Sequence, residues 1–141
     1  MDIVEKAKRS AMMARIRSKD TQPELRVRRI AHAMGYRYRL HRRDLPGSPD
    51  LVFPRLRKVI LIHGCYWHRH PGCRFAYQPK SNTAFWDEKF RRNQERDRRV
   101  LSELRALGWD PLIIWECETR NPETLRTRIA AHLEYAGDNE Q

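Results

Sequence analysis

Residues 50–62 read DLVFPRLRKVILI. Two apolar runs, 50–53 and 58–62, flank a short turn, and neither alternates with polar residues. Continuous apolar runs of this length read as strands buried on both faces. Upstream, Leu45-Pro46-Gly47-Ser48-Pro49 is a turn. Before it, residues 36–40 (YRYRL) alternate apolar or aromatic residues with Arg, as a half-exposed strand does. Thr21-Gln22-Pro23-Glu24 has the form of a capping box, with Pro in the first turn. It opens a helix that carries Leu25, Val27, Ile30, Ala31 and Met34 and stops at Gly35. A further basic helix is expected over residues 2–17.

Downstream, a long helix is expected over residues 83–107, ended by Gly108. Its inward stripe runs through Trp86, Phe90, Asn93, Asp97, Val100, Leu104 and Leu107. Asp97 lies on that apolar seam, where a carboxylate is costly unless something pairs with it. Residues 112–115 (LIIW) make another buried strand, which leads into Glu116-Cys117. Asn121-Pro122 then opens a last helix with Leu125, Ile129, Leu133 and Ala136 on one side. The order α, α, β, β, β, α, β, α predicts an α/β fold, a mixed central sheet with helices over both faces. The length, 141 residues, predicts one domain: an N-terminal segment 1–20, a core 21–136 and a tail 137–141.

Charge points to the partner. Lys and Arg number 29 against 18 Asp and Glu, a net charge of +11. Residues 26–43 contain Arg26, Arg28, Arg29, Arg37, Arg39, Arg42 and Arg43 and no acid. Such an excess repels itself until a polyanion offsets it, so nucleic acid is the expected partner. No apolar run approaches a membrane span, and the first residues lack the apolar middle of a signal peptide. The chain is therefore expected to be soluble and cytoplasmic.

Residues 63–73, HGCYWHRHPGC, are the chemically densest stretch. The chain has 3 cysteines, and an odd count in a reducing compartment argues against a disulfide framework. Cys65, Cys73 and Cys117 with one imidazole would make a closed tetrahedral zinc site. Such a site would clip the 63–73 loop to the end of the last strand. Spacing does not choose between His68 and His70 as the fourth ligand. The histidine left over would be a general acid/base candidate. Tyr66-Trp67, on a loop, suits either stacking on bases or a small core beneath the loop. Asp50, at a strand start after a Pro-rich turn, could hold Mg²⁺ for phosphoryl transfer.

Taken in order, PGSPDLVF, VILIHGCYWHRHPGC, Phe85-Trp86, NQERDRR at 93–99 and GWDPLIIWEC at 108–117 strongly resemble the very-short-patch repair endonucleases. The N-terminal pattern Arg9-Ser10, Met13, Ile16 and Asp20-Thr21 is similar to theirs too, so the likeness spans nearly the whole chain. The resemblance implies a restriction-endonuclease-like α/β core with a structural zinc. It implies a Mg²⁺-dependent endonuclease of DNA repair, which nicks one strand 5′ of the thymine at T:G mismatches left by deamination of 5-methylcytosine. Asp50 then matches the magnesium-binding aspartate, and the position of Ile62, usually Thr, offers a backbone carbonyl to that metal. His63 matches a histidine assisting the metal-water network, His68 the general base, Asp97 its carboxylate partner and Glu24 an acid near the metal waters. Cys65, His70, Cys73 and Cys117 match the zinc ligands. Tyr66 (usually Phe), Trp67 and Trp86 match aromatics that wedge beside the mismatch, and Met13 and Ile16 match residues of a helix in the opposite groove. Between His70 and Cys73 this chain has one residue more than the family, and Arg69 stands where the family has His. The implied partners are duplex DNA with a T:G mismatch and other DNA repair proteins, with the enzyme acting as a monomer. Two other readings keep the basic surface: a zinc-stabilised DNA-binding module without catalysis, and a restriction endonuclease acting on matched DNA.

Overall fold

The computed structural model describes residues 20–134. The helix expected over 2–17, with Met13 and Ile16, and Ala136 of the last helix lie outside the described residues. The elements are α1 (Gln22–Ala33), β1 (Arg39–Leu40), β2 (Leu51–Phe53), β3 (Lys58–His63), α2 (Thr83–Ala106), β4 (Asp110–Trp115), a 3-10 turn (Glu116–Arg120) and α3 (Pro122–Glu134). The four strands lie in the order β1-β2-β3-β4. β1 and β2 are antiparallel, as are β2 and β3, whereas β3 and β4 run parallel. This is the expected mixed α/β sheet flanked by helices. Among the described residues no helix is long and apolar enough to cross a membrane.

The apolar runs lack alternation because helices cover both faces of the sheet. Leu51, Phe53, Ile60 and Ile114 face Val27 and Ala31 of α1 and Leu125, Ile129 and Leu133 of α3. Val52, Val59 and Leu61 point the other way, to Leu104 of α2 and to Trp109. Neighbouring residues on a strand thus enter different cores, and each must be apolar.

Three local expectations are corrected. The strand expected over 36–40 pairs only at Arg39–Leu40. Tyr36 and Tyr38 instead set their rings edge-on against Phe53, at 6.3 and 6.0 Å, and gain burial without a ladder. The capping box is half formed. Thr21 Oγ1 accepts from the Glu24 amide at 3.5 Å, but the Glu24 carboxylate takes the Asp20 amide at 2.8 Å instead of its own cap residue. Leu107, expected to face inward, is 53% exposed, because α2 ends at Ala106 and Trp109 fills the core position at 5% exposure. Arg57 lies over the Trp109 ring at 4.2 Å and donates to the Leu107 carbonyl at 2.9 Å. Pro111 sits within β4, which is tolerated because β4 is an edge strand among the described residues.

Gly47 has φ +73°, and a Cβ there would meet Val100 of α2 at 2.5 Å. Gly47→Ala therefore combines left-handed strain with overpacking. It is expected to cost about 2 kcal/mol, read as a lower urea midpoint at unchanged slope. At the far end of β3, the Lys58 ammonium donates to the His132 carbonyl, and His132 Nε2 donates to the Val59 carbonyl at 3.2 Å. Burial holds the His132 pKa below its usual value, with Asp110 opposing and Lys58 adding to the shift. The unfolded chain then binds the extra proton first, so this contribution to stability is present above about pH 6.5 and fades as pH falls. Urea midpoints between pH 7.5 and 5 should drop more for the wild type than for His132→Gln; parallel slopes would refute the assignment.

Candidate active site and metal centre

The sheet topology gathers the chemistry at one end of its strands. β3 and β4 are parallel and pair Ile62 with Ile114 and His63 with Trp115, so both strands end there. β2 runs antiparallel to β3, so Asp50, just before Leu51, begins there too. α1 brings Glu24 and α2 brings Asp97 to the same cleft of about 640 Å³, which Ile62, Tyr66, Trp67 and His68 also line.

His68 Nδ1 lies 2.7 Å from Asp97 Oδ2. A carboxylate only accepts, so Nδ1 carries the proton and Nε2 keeps its lone pair. The half-buried acid on the α2 seam thus has its partner. The His63 ring stacks on His68 at 3.9 Å, with 11° between the planes. His63 Nδ1 is buried with no hydrogen-bond partner among the described residues. Burial, then the neighbouring His68, pushes the His63 pKa down to about 4, so this ring is neutral at pH 7.

Asp50 Oδ2 accepts from the Ile62 amide at 2.7 Å. Burial raises the Asp50 pKa to about 7; the Ile62 amide opposes this and Glu24 adds to it. An acid held under such a penalty, with an oxygen facing the cleft and an orphan ring nitrogen at the same end of the strands, fits a hard divalent cation and its waters. His41 joins this group without any motif to announce it. Its Nε2 lies 3.2 Å from an Arg28 nitrogen and 3.4 Å from a Glu24 carboxylate oxygen, and its Nδ1 lies 3.8 Å from Asp50 Oδ1. Glu24 in turn accepts from Arg28 at 3.1 Å. The only sequence signal for His41 is its place in the acid-free Arg block.

The four sulfur and nitrogen candidates also converge. Cys65, His70, Cys73 and Cys117 each offer one ligand atom, all within 4.8 Å of one another. His70 Nδ1 lies 3.7 Å from Cys65 Sγ and 3.4 Å from Cys117 Sγ. Tetrahedral zinc, with bonds of about 2.3 Å to sulfur and 2.0 Å to nitrogen, implies S···N edges of about 3.5 Å. The donor set therefore fits zinc. Burial pushes the Cys65 pKa up to about 12, opposed by the Cys117 amide and reinforced by the Cys117 and Cys73 thiols, a penalty on the thiolate that a bound cation would relieve. Cys65 follows β3 and Cys117 follows β4, so the parallel pairing of those strands is what joins them. The His70 ring stacks on Trp115 at 4.3 Å.

Above the cleft stands an aromatic group. Tyr66 meets Trp67 edge-on at 4.9 Å, and Trp67 lies 6.0 Å from Trp86 of α2. The Lys89 ammonium is within 6 Å of both indoles, at 5.7 and 5.8 Å. Asn93, the other polar residue on the α2 seam, donates to the Trp67 carbonyl at 3.2 Å and tethers the loop to the helix. Tyr66, Trp67 and Trp86 are thus half-buried on one patch.

Comparison with known proteins bears on this arrangement. The family model described as DNA mismatch endonuclease Vsr matches residues 1–74. A type II nicking enzyme, V.XorIIP, from Xanthomonas oryzae pv. oryzae is 46% identical over 122 residues, 86% of this chain and 89% of that protein. The DNA mismatch endonuclease Vsr of Escherichia coli K12 is 44% identical over 124 residues, 88% of this chain and 79% of that protein. The type II nicking enzyme V.NmeAIP from Neisseria meningitidis is 41% identical over 128 residues, covering 91% of each chain.

Proposed function

Because this chain belongs to the Vsr family of DNA mismatch endonucleases, we propose that it nicks one strand of duplex DNA 5′ of the thymine at T:G mismatches, with Mg²⁺ as catalytic ion and zinc as structural ion. The chain is an endonuclease acting on DNA; the mismatch, the strand and the ions are the proposed part. The observation that carries it is the His68–Asp97 pair at 2.7 Å, opening on the cleft that also holds Asp50.

In this reading His68 Nε2 takes the proton from the attacking water, and Asp97 stabilises the imidazolium that forms. Mg²⁺, held by Asp50 and the Ile62 carbonyl, would supply positive charge for the phosphoryl and leaving oxygens. His63 and Glu24 orient water at the cleft edge, with the His63 imidazole neutral and able to accept or donate. Cys65, His70, Cys73 and Cys117 fix the loop that bears His68, so the base is in place before substrate arrives. Tyr66, Trp67 and Trp86 unstack the neighbouring step from one groove, and Met13 and Ile16 enter the other. A T:G wobble pair is easier to unstack than a matched pair, so the wedge costs less there and discriminates. The net charge of +11 offsets phosphate repulsion along the duplex. The protein would act as a monomer in the cytoplasm, on nucleoid DNA, alongside other repair proteins.

The test is nicking of T:G and matched duplexes in parallel, with Mg²⁺ or with EDTA. Mg²⁺-dependent, EDTA-sensitive scission of one strand at T:G is expected. Equal cutting of both strands of matched DNA would favour a restriction enzyme. Tight binding without scission would favour a DNA-binding module.

A further inference from the structure

We infer that Arg69 is the positioning residue of the aromatic wedge, a strut that holds the 66–77 segment in its DNA-ready shape without touching the metal or the reacting atoms. The inference rests on the wedge role proposed above and deepens it.

Arg69 lies between His68 and His70, yet its side chain joins neither cluster. One terminal nitrogen donates to the Tyr66 carbonyl at 3.3 Å and to the Tyr77 carbonyl at 3.1 Å. The other donates to the Ala76 carbonyl at 3.0 Å. The guanidinium lies 4.1 Å from the centre of the Phe90 ring and 5.5 Å from that of Tyr66. Phe90 is a buried residue of α2, and Tyr66 meets it edge-on at 5.3 Å. One side chain therefore ties both ends of a loop to each other and to the helix behind it.

The backbone agrees with this role. Arg69 has φ +56°, in the left-handed region that a branched or long side chain rarely adopts. The local cost is offset by the three carbonyl contacts and the contact with the Phe90 ring. Only a planar fork reaches three carbonyls with its centre over a ring; a lysine ammonium has the charge but not the shape. The strut also holds Tyr77, 64% exposed, with its ring 4.9 Å from Tyr66, so the aromatic surface continues past the wedge. A loop ordered in advance spends no binding energy on ordering when it meets DNA.

The test compares wild type, Arg69→Ala and Arg69→Lys, each with its metal bound. Hydrogen exchange of amides 66–77 in the DNA-free protein is expected to rise by on the order of tenfold or more in both variants. Zinc content should stay at the wild-type level. Affinity for a T:G duplex should fall about tenfold while affinity for matched duplex barely changes. The fluorescence rise of 2-aminopurine beside the mismatch should be lost in both. Single-turnover nicking at saturating protein should fall together with the 2-aminopurine signal, because the 66–77 segment also carries His68. Unchanged exchange at 66–77 overturns the strut. An equal loss of affinity for matched and mismatched duplex, or full rescue by Lys, overturns it in favour of a phosphate contact. Loss of zinc overturns it in favour of support for the metal loop. If the wild type itself does not discriminate T:G from matched duplex, the proposed function fails, and the exchange measurement still decides the strut.

Discussion

Replacing His68 by Ala is expected to lower the single-turnover nicking rate on a T:G duplex at least about a hundredfold, the usual worth of a positioned base. Affinity for that duplex should hardly change, since the proposed wedge is Tyr66, Trp67 and Trp86 and the His68 ring stacks on His63 instead. The physical reason is the tautomer. Asp97 Oδ2 accepts the Nδ1 proton at 2.7 Å and leaves Nε2 as the basic nitrogen. Asp97→Asn keeps the shape but removes the charge that favours the imidazolium, so it should lose rate about tenfold or more with affinity intact. Asp97 is partly shielded, at 20% side-chain exposure, so water does not replace that charge fully. Nicking by His68→Ala at the wild-type rate would remove the general base from the mechanism.

Replacing Cys117 by Ala is expected to abolish stoichiometric zinc and to lower Tm by roughly 10 °C, as the loss of a few kcal/mol does in a chain of this size. Cys117 is the one candidate ligand outside the 65–73 loop. Its sulfur and that of Cys65 surround His70 Nδ1 at 3.4 and 3.7 Å. Without it the loop is no longer pinned to the end of β4, and His68 and the Tyr66-Trp67 pair lose their support together. His70→Ala should behave in the same way, whereas His68→Ala should retain zinc and lose much less melting temperature, the cost of leaving Asp97 unpaired. Elemental analysis with thermal melts checks all three. A Cys117→Ala protein that melts with the wild type would mean that the thiols are ordinary buried residues.

The contrast between His68 and His70 marks the limit of linear reading. They are two positions apart in a loop, and no spacing rule assigns one to sulfur and the other to a carboxylate; the family resemblance supplies that division. In the structure the loop backbone turns between them, at Arg69 with φ +56°, and the two rings point to different neighbours. Arg69 itself is visible in the sequence only as a departure from the family's His. His41 and the strut contacts of Arg69 are not visible there at all, because they depend on side chains reaching across space and not on a repeat along the chain. By contrast, Asp97 stands out from spacing alone, since a carboxylate at core spacing on a helix demands a partner.

By itself, the sequence determined the α/β class, the two-sided burial of the central strands, the basic partner surface and the two groups of chemistry-bearing residues. These follow from periodicity, composition and residue type, which act locally. Tertiary structure alone decided which residues meet. The parallel pairing of β3 with β4 carries Cys117 to Cys65, and the antiparallel return of β2 sets Asp50 at the same end of the strands. Strand direction and register are settled by packing the whole sheet between its helices, and no local stretch of chain contains that information.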